Sequence, residues 1–175
     1  MFSKVHSIGI LGVEGYPVVV EADVSEGLPG FTMVGYLSGA VREAQDRVRT
    51  ALKNSGFRLP ARKITVNLSP ADIRKEGTGF DLPIAVAVLA ATGLVDQSIL
   101  DTSVLVGELG LDGRIKPVSG ILSIVAAARN AGKKRCFLPI PNVNEGQIIG
   151  NIDIIGVEDI RELAGMLNEP DQLSP

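Results

Sequence analysis

Hydroxyl and ammonium side chains gather around one charged, glycine-containing loop of the chain. Ser69 ends the β-branched run Ile64–Leu68, and the polar loop Ser69–Gly79 that follows contains Thr78. An almost uncharged run then begins at Phe80. α/β proteins often place a working site where a strand leads through a loop to a buried helix. A serine or threonine beside a desolvated lysine would form a nucleophile–base dyad there.

Five residues could supply such a dyad. The candidate hydroxyls are Ser69, Thr78 and Ser119, and the candidate lysines are Lys75 and Lys116. Each also has a structural explanation: a strand end, a turn, a helix cap and two solvated lysines. Because a nucleophile and its base must approach to about 3 Å, the catalytic alternative is a Ser/Thr–Lys hydrolase that uses Thr78 or Ser119 with Lys116.

Other site chemistries find less support in the sequence. The phosphate loop G-x-x-x-x-G-K-[ST] does not occur, although Lys75–Gly79 could form a small anion-binding nest before the Phe80 helix. One histidine, His6, and one cysteine, Cys136, disfavour a zinc site. A Ser-His-Asp triad would need His6, and the motif G-x-S-x-G is missing.

Composition bounds the class of protein. The chain has 175 residues, of which 45% are hydrophobic, and a formal net charge of −3. This charge disfavours a domain that binds nucleic acid by itself. A single cysteine excludes an internal disulfide, and we expect neither a membrane span of about 18 apolar residues nor a signal peptide. We therefore expect a cytoplasmic protein without membrane partners.

A local excess of positive charge flanks the strand and loop described above. A basic patch can bind anions or nucleic acid even when the total charge is negative. The candidate contact surface consists of Arg62, Lys63, Arg74, Lys75, Glu76 and Thr78.

The order of elements is β-rich first and then alternates between helix and strand. We predict an α/β (α+β) fold with one mixed sheet, helices mainly on one face, and an antiparallel arrangement of the first three strands. An amphipathic helix is predicted from its N-cap Ser38 to Gly56, and a central buried helix over 81–91. A strand over 104–109 and a helix over 119–131 follow. Residues 1–167 form the predicted single domain, and 168–175 form a polar, frayed tail or the start of a linker.

Several motifs are similar to the N-terminal domain of the magnesium-chelatase-like AAA+ ATPases, the ComM or YifB family. The motifs are KNSGF at 53–57, ITVNLSPAD at 64–72, KEGTGFDLPIA at 75–85 and VGELGLDGRIKPV at 106–118. Shorter matches lie at 30–35 and 40–43, and the similarity continues to Leu167. Tyr36–Gly39 departs from the Leu-Pro-Asp that is usual in the family, which affects that loop alone.

This resemblance implies that the chain is one domain of a larger AAA+ protein. Family members carry this domain ahead of a hexameric AAA+ motor, and ComM is linked to branch migration during natural transformation. The implied partners are the chain's own AAA+ domain, neighbouring subunits and, through the parent protein, DNA. ATP and Mg²⁺ are expected only in the AAA+ domain, so no cofactor is expected in this fragment.

The domain also resembles the proteolytic domain of Lon, whose fold is shared with domain 2 of a small-subunit ribosomal protein and with GHMP kinases. Lon carries its nucleophile in a loop K-D-G-P-S-A-G, which matches 75–81 here and places the serine position on Gly79. Its lysine follows G-x-x-x-P-x-G-G-L-K, which matches 113–122 and places the lysine position on Leu122. Neither residue can do dyad chemistry, so we expect this fragment not to be an enzyme.

Overall fold

The computed structural model describes residues 1–173. Its strands are β1 (Phe2–Leu11), β2 (Glu14–Ser25), β3 (Gly30–Val34), β4 (Lys63–Ser69), β5 (Ser103–Leu105), β6 (Glu108–Leu109), β7 (Ile115–Lys116), β8 (Arg135–Pro139) and β9 (Asp153–Val157). Its α-helices are α1 (Gly39–Arg42), α2 (Ala44–Asn54), α3 (Asp81–Ala91), α4 (Ile121–Asn130), α5 (Val143–Gln147) and α6 (Ile160–Asn168). Short 3₁₀ turns occupy Leu100–Thr102, Ile140–Asn142 and Pro170–Leu173.

One seven-stranded mixed sheet organises the fold, in the order β3-β4-β2-β1-β5-β8-β9. β1 and β2 form an antiparallel hairpin in which Leu11 pairs with Glu14. Gly12, with φ +66°, supplies the left-handed conformation that such a tight turn favours. β2 and β4 are antiparallel, whereas β5, β8 and β9 follow β1 in parallel. The predicted mixed α/β sheet is confirmed.

The position of β3 differs from the prediction. β3 does run opposite to β2, but β4 lies between them, and β3 pairs in parallel with β4 at the sheet edge, Phe31 beside Ile64. β4 offers seven residues whose buried side chains alternate, and β3 offers five. The longer strand therefore makes more backbone bonds and buries more apolar surface in the inner position.

Helices cover both faces of the sheet. Every residue of α3 is buried, and α3 packs against β1 and β2 on the face that carries Val5 and Val20. α1, α2 and α6 contribute to the same apolar cluster. α4 packs on the opposite face with Ile8 and Val104, and Gly146 of α5 lies against Leu138 there. Most of the helical surface thus lies on one face, as predicted, but α4 and α5 close the other.

Two predicted elements are interrupted in the structure. The strand expected over 104–109 divides into β5 and β6, because the backbone at Gly107 turns toward the loop: the Gly107 N–H donates to Gly79 O at 3.0 Å, and Gly107 O accepts from Leu82 N at 3.0 Å. A Cβ on Gly107 would lie 2.8 Å from Ile115, so this approach requires glycine. The helix from Ser38 is likewise broken at Glu43 into α1 and α2, although Ser38 caps it as predicted.

The predicted polar tail begins at the last residue of α6 and includes the 3₁₀ turn Pro170–Leu173. Asn168 is the last residue of α6, and its side-chain amide donates to Leu94 O at 3.0 Å. Leu173 packs against the main apolar cluster. Ser174 and Pro175, the end of the predicted tail, lie outside the described residues. Within residues 1–173, every helix is too short or too polar to cross a lipid bilayer.

A buried ion pair joins α2 to the start of α3. Arg47 donates to both carboxylate oxygens of Asp81, at 2.8 and 2.9 Å, and to Ala40 O at 2.7 Å. The N–H of Leu109 donates to the same carboxylate at 3.0 Å. Burial raises the pKa of Asp81, while the Arg47 and Leu109 hydrogen bonds oppose that rise. The Asp81 side chain is 1% exposed, so its charge depends on these partners.

Replacing Arg47 with methionine should lower the free energy of unfolding by about 3–5 kcal/mol, because it leaves the Asp81 carboxylate buried without its cation. The matched control is Glu76→Gln, which breaks the exposed Arg74–Glu76 pair and should cost no more than about 1 kcal/mol. Urea unfolding at pH 8, followed by circular dichroism, measures both. Equal and small losses in the two variants would contradict the role assigned to Arg47.

Candidate functional site

The loop 76–80 and the segment 117–120 line one cleft. The cleft has a volume of about 590 Å³ and an apolar floor that includes Ile8, Phe80 and Val106. It lies where β1 ends and α4 begins, beside the kink at Gly107. The structure therefore brings together the two segments whose sequences match the two halves of the Lon dyad.

Gly79 stands in this cleft with room for a side chain. A Cβ built there would contact only Val118, at 3.5 Å and beyond, which is ordinary van der Waals distance. The Gly79 carbonyl accepts from Gly107, so its backbone position is fixed by main-chain bonding rather than by the lack of a side chain. A residue with a side chain would therefore find space at position 79.

Leu122 stands where the Lon motif has its lysine. Leu122 is the second residue of α4 and is 41% exposed, and its side chain cannot accept a proton. Ser119, predicted as the cap of this helix, is not the cap: Gly120, with φ +79°, takes that position, and no side chain caps the helix. Ser119 is left as an exposed residue at the rim of the cleft.

The cleft contains the hydroxyls of the alternative dyad but not its lysine. Thr78 and Ser119 both line the cleft, but Lys116 is absent from its described lining. The end of the Lys116 side chain extends toward Gly110, where its Cε would lie 3.1 Å from an added Cβ. Ser69 donates to Val19 O at 3.5 Å and is engaged with β2. The structure supplies hydroxyls to the cleft without a lysine beside them.

Lys75 contradicts the prediction of a solvated, contact-forming lysine. Its side chain is fully buried, and Nζ donates to Ile73 O at 2.8 Å and to Pro70 O. Burial lowers the pKa of this ammonium. The Lys75 backbone is equally engaged, since its N–H donates to Tyr36 O and its carbonyl accepts from Ser38 N, both at 2.9 Å. Lys75 thus pins the loop to the segment between β3 and α1, and its charge is unavailable to a ligand.

The other predicted contact residues do not share one surface. Arg74 and Glu76 pair with each other at 2.9 Å, and both are exposed. Thr78 lies half-buried in the cleft. Arg62 and Lys63 are exposed at the far end of β4, where Arg62 borders a hollow shared with Arg49 of α2. Sequence reasoning missed Arg49 and its neighbours; the available signal was the i, i+4 spacing of exposed cations on α2.

Metal and redox chemistry find no support in the described chain. Among residues 1–173, no three His, Cys, Asp or Glu side chains form a group that could hold a metal ion. The His6 ring lies 3.1 Å from Asp101, and burial lowers its pKa. Burial raises the pKa of the Cys136 thiol to about 12, which keeps it protonated and unreactive.

Comparison with known proteins places this geometry in a family. The family model for subunit ChlI of Mg-chelatase matches residues 20–142, which include the cleft loop, the Arg47–Asp81 pair and α3. The chain belongs to this magnesium-chelatase-like family. It is 50% identical over 132 residues to "Uncharacterized protein YifB" of Escherichia coli K12, covering 75% of the chain and 26% of that protein.

Two further relatives extend the likeness. "Competence protein ComM" of Haemophilus influenzae is 40% identical over 169 residues, covering 97% of the chain and 33% of ComM. A "Lon protease" of Mycolicibacterium smegmatis is 25% identical over 175 residues, covering 93% of the chain and 22% of that protease. The chain thus spans about a quarter to a third of the YifB and ComM proteins. The predicted family and the distant relation to Lon are confirmed.

Exchanging Lys75 for methionine should lower the free energy of unfolding by about 1–3 kcal/mol, because the Pro70 and Ile73 carbonyls lose a charged donor. Lys116→Met is the matched control, since Lys116 is exposed and its loss should change stability by no more than about 0.5 kcal/mol. Chemical denaturation of both variants gives the comparison. An unchanged midpoint for Lys75→Met would show that the buried ammonium does not hold the loop.

Proposed function

We propose that this chain is a non-catalytic N-terminal domain of a magnesium-chelatase-like AAA+ ATPase of the ComM/YifB type. Its role would be to bind its own motor domain, neighbouring subunits of a hexamer, or the DNA that the motor acts on. The observation that carries the proposal is the cleft, which includes Gly79 at the position that the Lon motif gives to the nucleophile and has no lysine in its described lining.

The cleft supports binding without bond cleavage. A dyad needs a nucleophile whose proton is taken by an adjacent base, and the hydroxyls of Thr78 and Ser119 have no lysine beside them in the cleft as described. The apolar floor and the main-chain bonds at Gly79 and Gly107 still form a defined concave surface. Such a surface suits recognition of a partner segment within a larger assembly.

A fluorophosphonate probe tests the absence of catalysis. We expect no covalent labelling of the purified chain and no release of labelled fragments from casein, because no lysine lies in the described lining of the cleft. Thr78→Val and Ser119→Ala serve as controls that remove each hydroxyl separately. Labelling or casein cleavage that disappears in either variant would overturn the proposal and establish the residual Ser/Thr–Lys hydrolase.

The activity of the whole protein belongs to the same proposal. ATP and Mg²⁺ would be bound by the AAA+ domain, the assembly would act in the cytoplasm on branched DNA, and the process served would be natural transformation. The support is the likeness to a protein named for competence.

Deleting residues 1–167 from the chromosomal copy should lower transformation frequency at least tenfold in a naturally competent host. An unchanged frequency, with the shortened protein present at normal levels by immunoblot, would contradict a contact role for this domain in transformation.

A further inference from the structure

Four exposed cations line two adjoining hollows at the β3–β4 edge of the sheet. Arg49 and Lys53 lie one turn apart on α2, and Arg58 and Arg62 lie on the segment that leads from α2 into β4. We call these four residues the basic strip. One hollow, of about 650 Å³, includes Arg49, Lys53 and Arg58, and the next, of about 310 Å³, includes Arg49 and Arg62.

The charges of the basic strip are not neutralised within the domain. Over residues 1–173, the ion pairs involve Arg47, Arg74 and Arg114, His6 and the N-terminus, and none involves a member of the strip. Asp46 is the only carboxylate in the described lining of either hollow. A cluster of this kind in a chain of net charge −3 creates a local positive potential that is available to an anionic partner.

The floor of the two hollows is apolar. Phe57 and Leu59 are half-buried and pack against the main cluster, and Leu59 borders both hollows. Pro60 and Phe31 continue this floor in the second hollow. Cations along the rim and apolar side chains along the bottom match a ligand whose charges repeat along a backbone and whose other face is apolar.

We infer that the basic strip binds the sugar–phosphate backbone of single-stranded nucleic acid, with Phe57 and Leu59 in contact with bases or sugars. Arginine forks match phosphate geometry, and three of the four cations are arginines. Single strands expose base faces to apolar and aromatic side chains, whereas a duplex offers mainly its phosphates. This inference rests on the proposed contact function and assigns it a surface that is separate from the cleft.

The test is fluorescence anisotropy of a labelled 20-nucleotide oligo-dT strand titrated with the 175-residue chain at 50 and 200 mM KCl. Four phosphate contacts predict that affinity falls roughly 50-fold between these salt concentrations, from a slope of about −0.7 per contact. The variant Arg49→Gln/Arg58→Gln/Arg62→Gln leaves one contact, so its affinity should fall only about 3-fold over the same range. At 50 mM KCl it should bind at least tenfold more weakly than the wild type.

A charge-matched variant distinguishes the loss of the basic strip from the loss of three positive charges elsewhere on the domain. Arg114→Gln/Lys134→Gln/Arg161→Gln removes three exposed cations elsewhere and should keep wild-type affinity and salt dependence. Circular dichroism melting checks that both triple variants are folded. Equal weakening by the two variants, or no binding by the wild type at 50 mM KCl, would overturn the inference.

Two competitors define the ligand class. A 20-residue polyglutamate that displaces the oligonucleotide at equal concentration would overturn the assignment in favour of an acidic protein surface. A 20-base-pair duplex that binds more tightly than the single strand would overturn the role of the apolar floor. The fluorophosphonate result is independent: labelling of the cleft would remove the proposed function and leave the binding measurement intact.

Discussion

The Arg47–Asp81 ion pair connects three parts of the fold that are distant in sequence. Asp81 opens α3, the helix buried on every side, and Arg47 projects from α2 to meet it. The same carboxylate accepts the N–H of Leu109 at the start of the β6–β7 hairpin. A buried charge tolerates little displacement of its partners, because each lost bond exposes the full desolvation cost. The start of α3, and with it the cleft loop just before Asp81, is therefore held in place.

Two further sets of hydrogen bonds hold the cleft loop, one at Lys75 just before it and one at Gly79 within it. The buried ammonium of Lys75 donates hydrogen bonds to the carbonyls of Pro70 and Ile73, and the Gly107 N–H donates to the Gly79 carbonyl. These hydrogen bonds fix the main chain of the loop that lines the cleft. Fold alone does not specify chemistry, so the function of this cleft depends on the side chains that line it.

The cleft and the basic strip lie on different parts of the domain and differ in chemistry. The cleft is formed by the loop before α3 and by the start of α4, with an apolar floor and two hydroxyls. The strip is formed by the exposed face of α2 and the chain entering β4, with four cations. In a multi-subunit assembly each copy would repeat both surfaces, and repetition converts weak single contacts into strong joint binding.

The sequence by itself determined the features that depend on residues close together along the chain. The apolar run over 81–91, in which Asp81 is the one charged residue, predicted α3 with its observed bounds, and the motifs predicted the family. Tertiary structure alone decided that β4 separates β3 from β2, that Lys75 is buried, and that Arg62 lies near Arg49 rather than near Arg74. Periodicity and turn chemistry act over a few neighbours, whereas strand order and burial depend on the free-energy balance among segments that meet only when the chain folds.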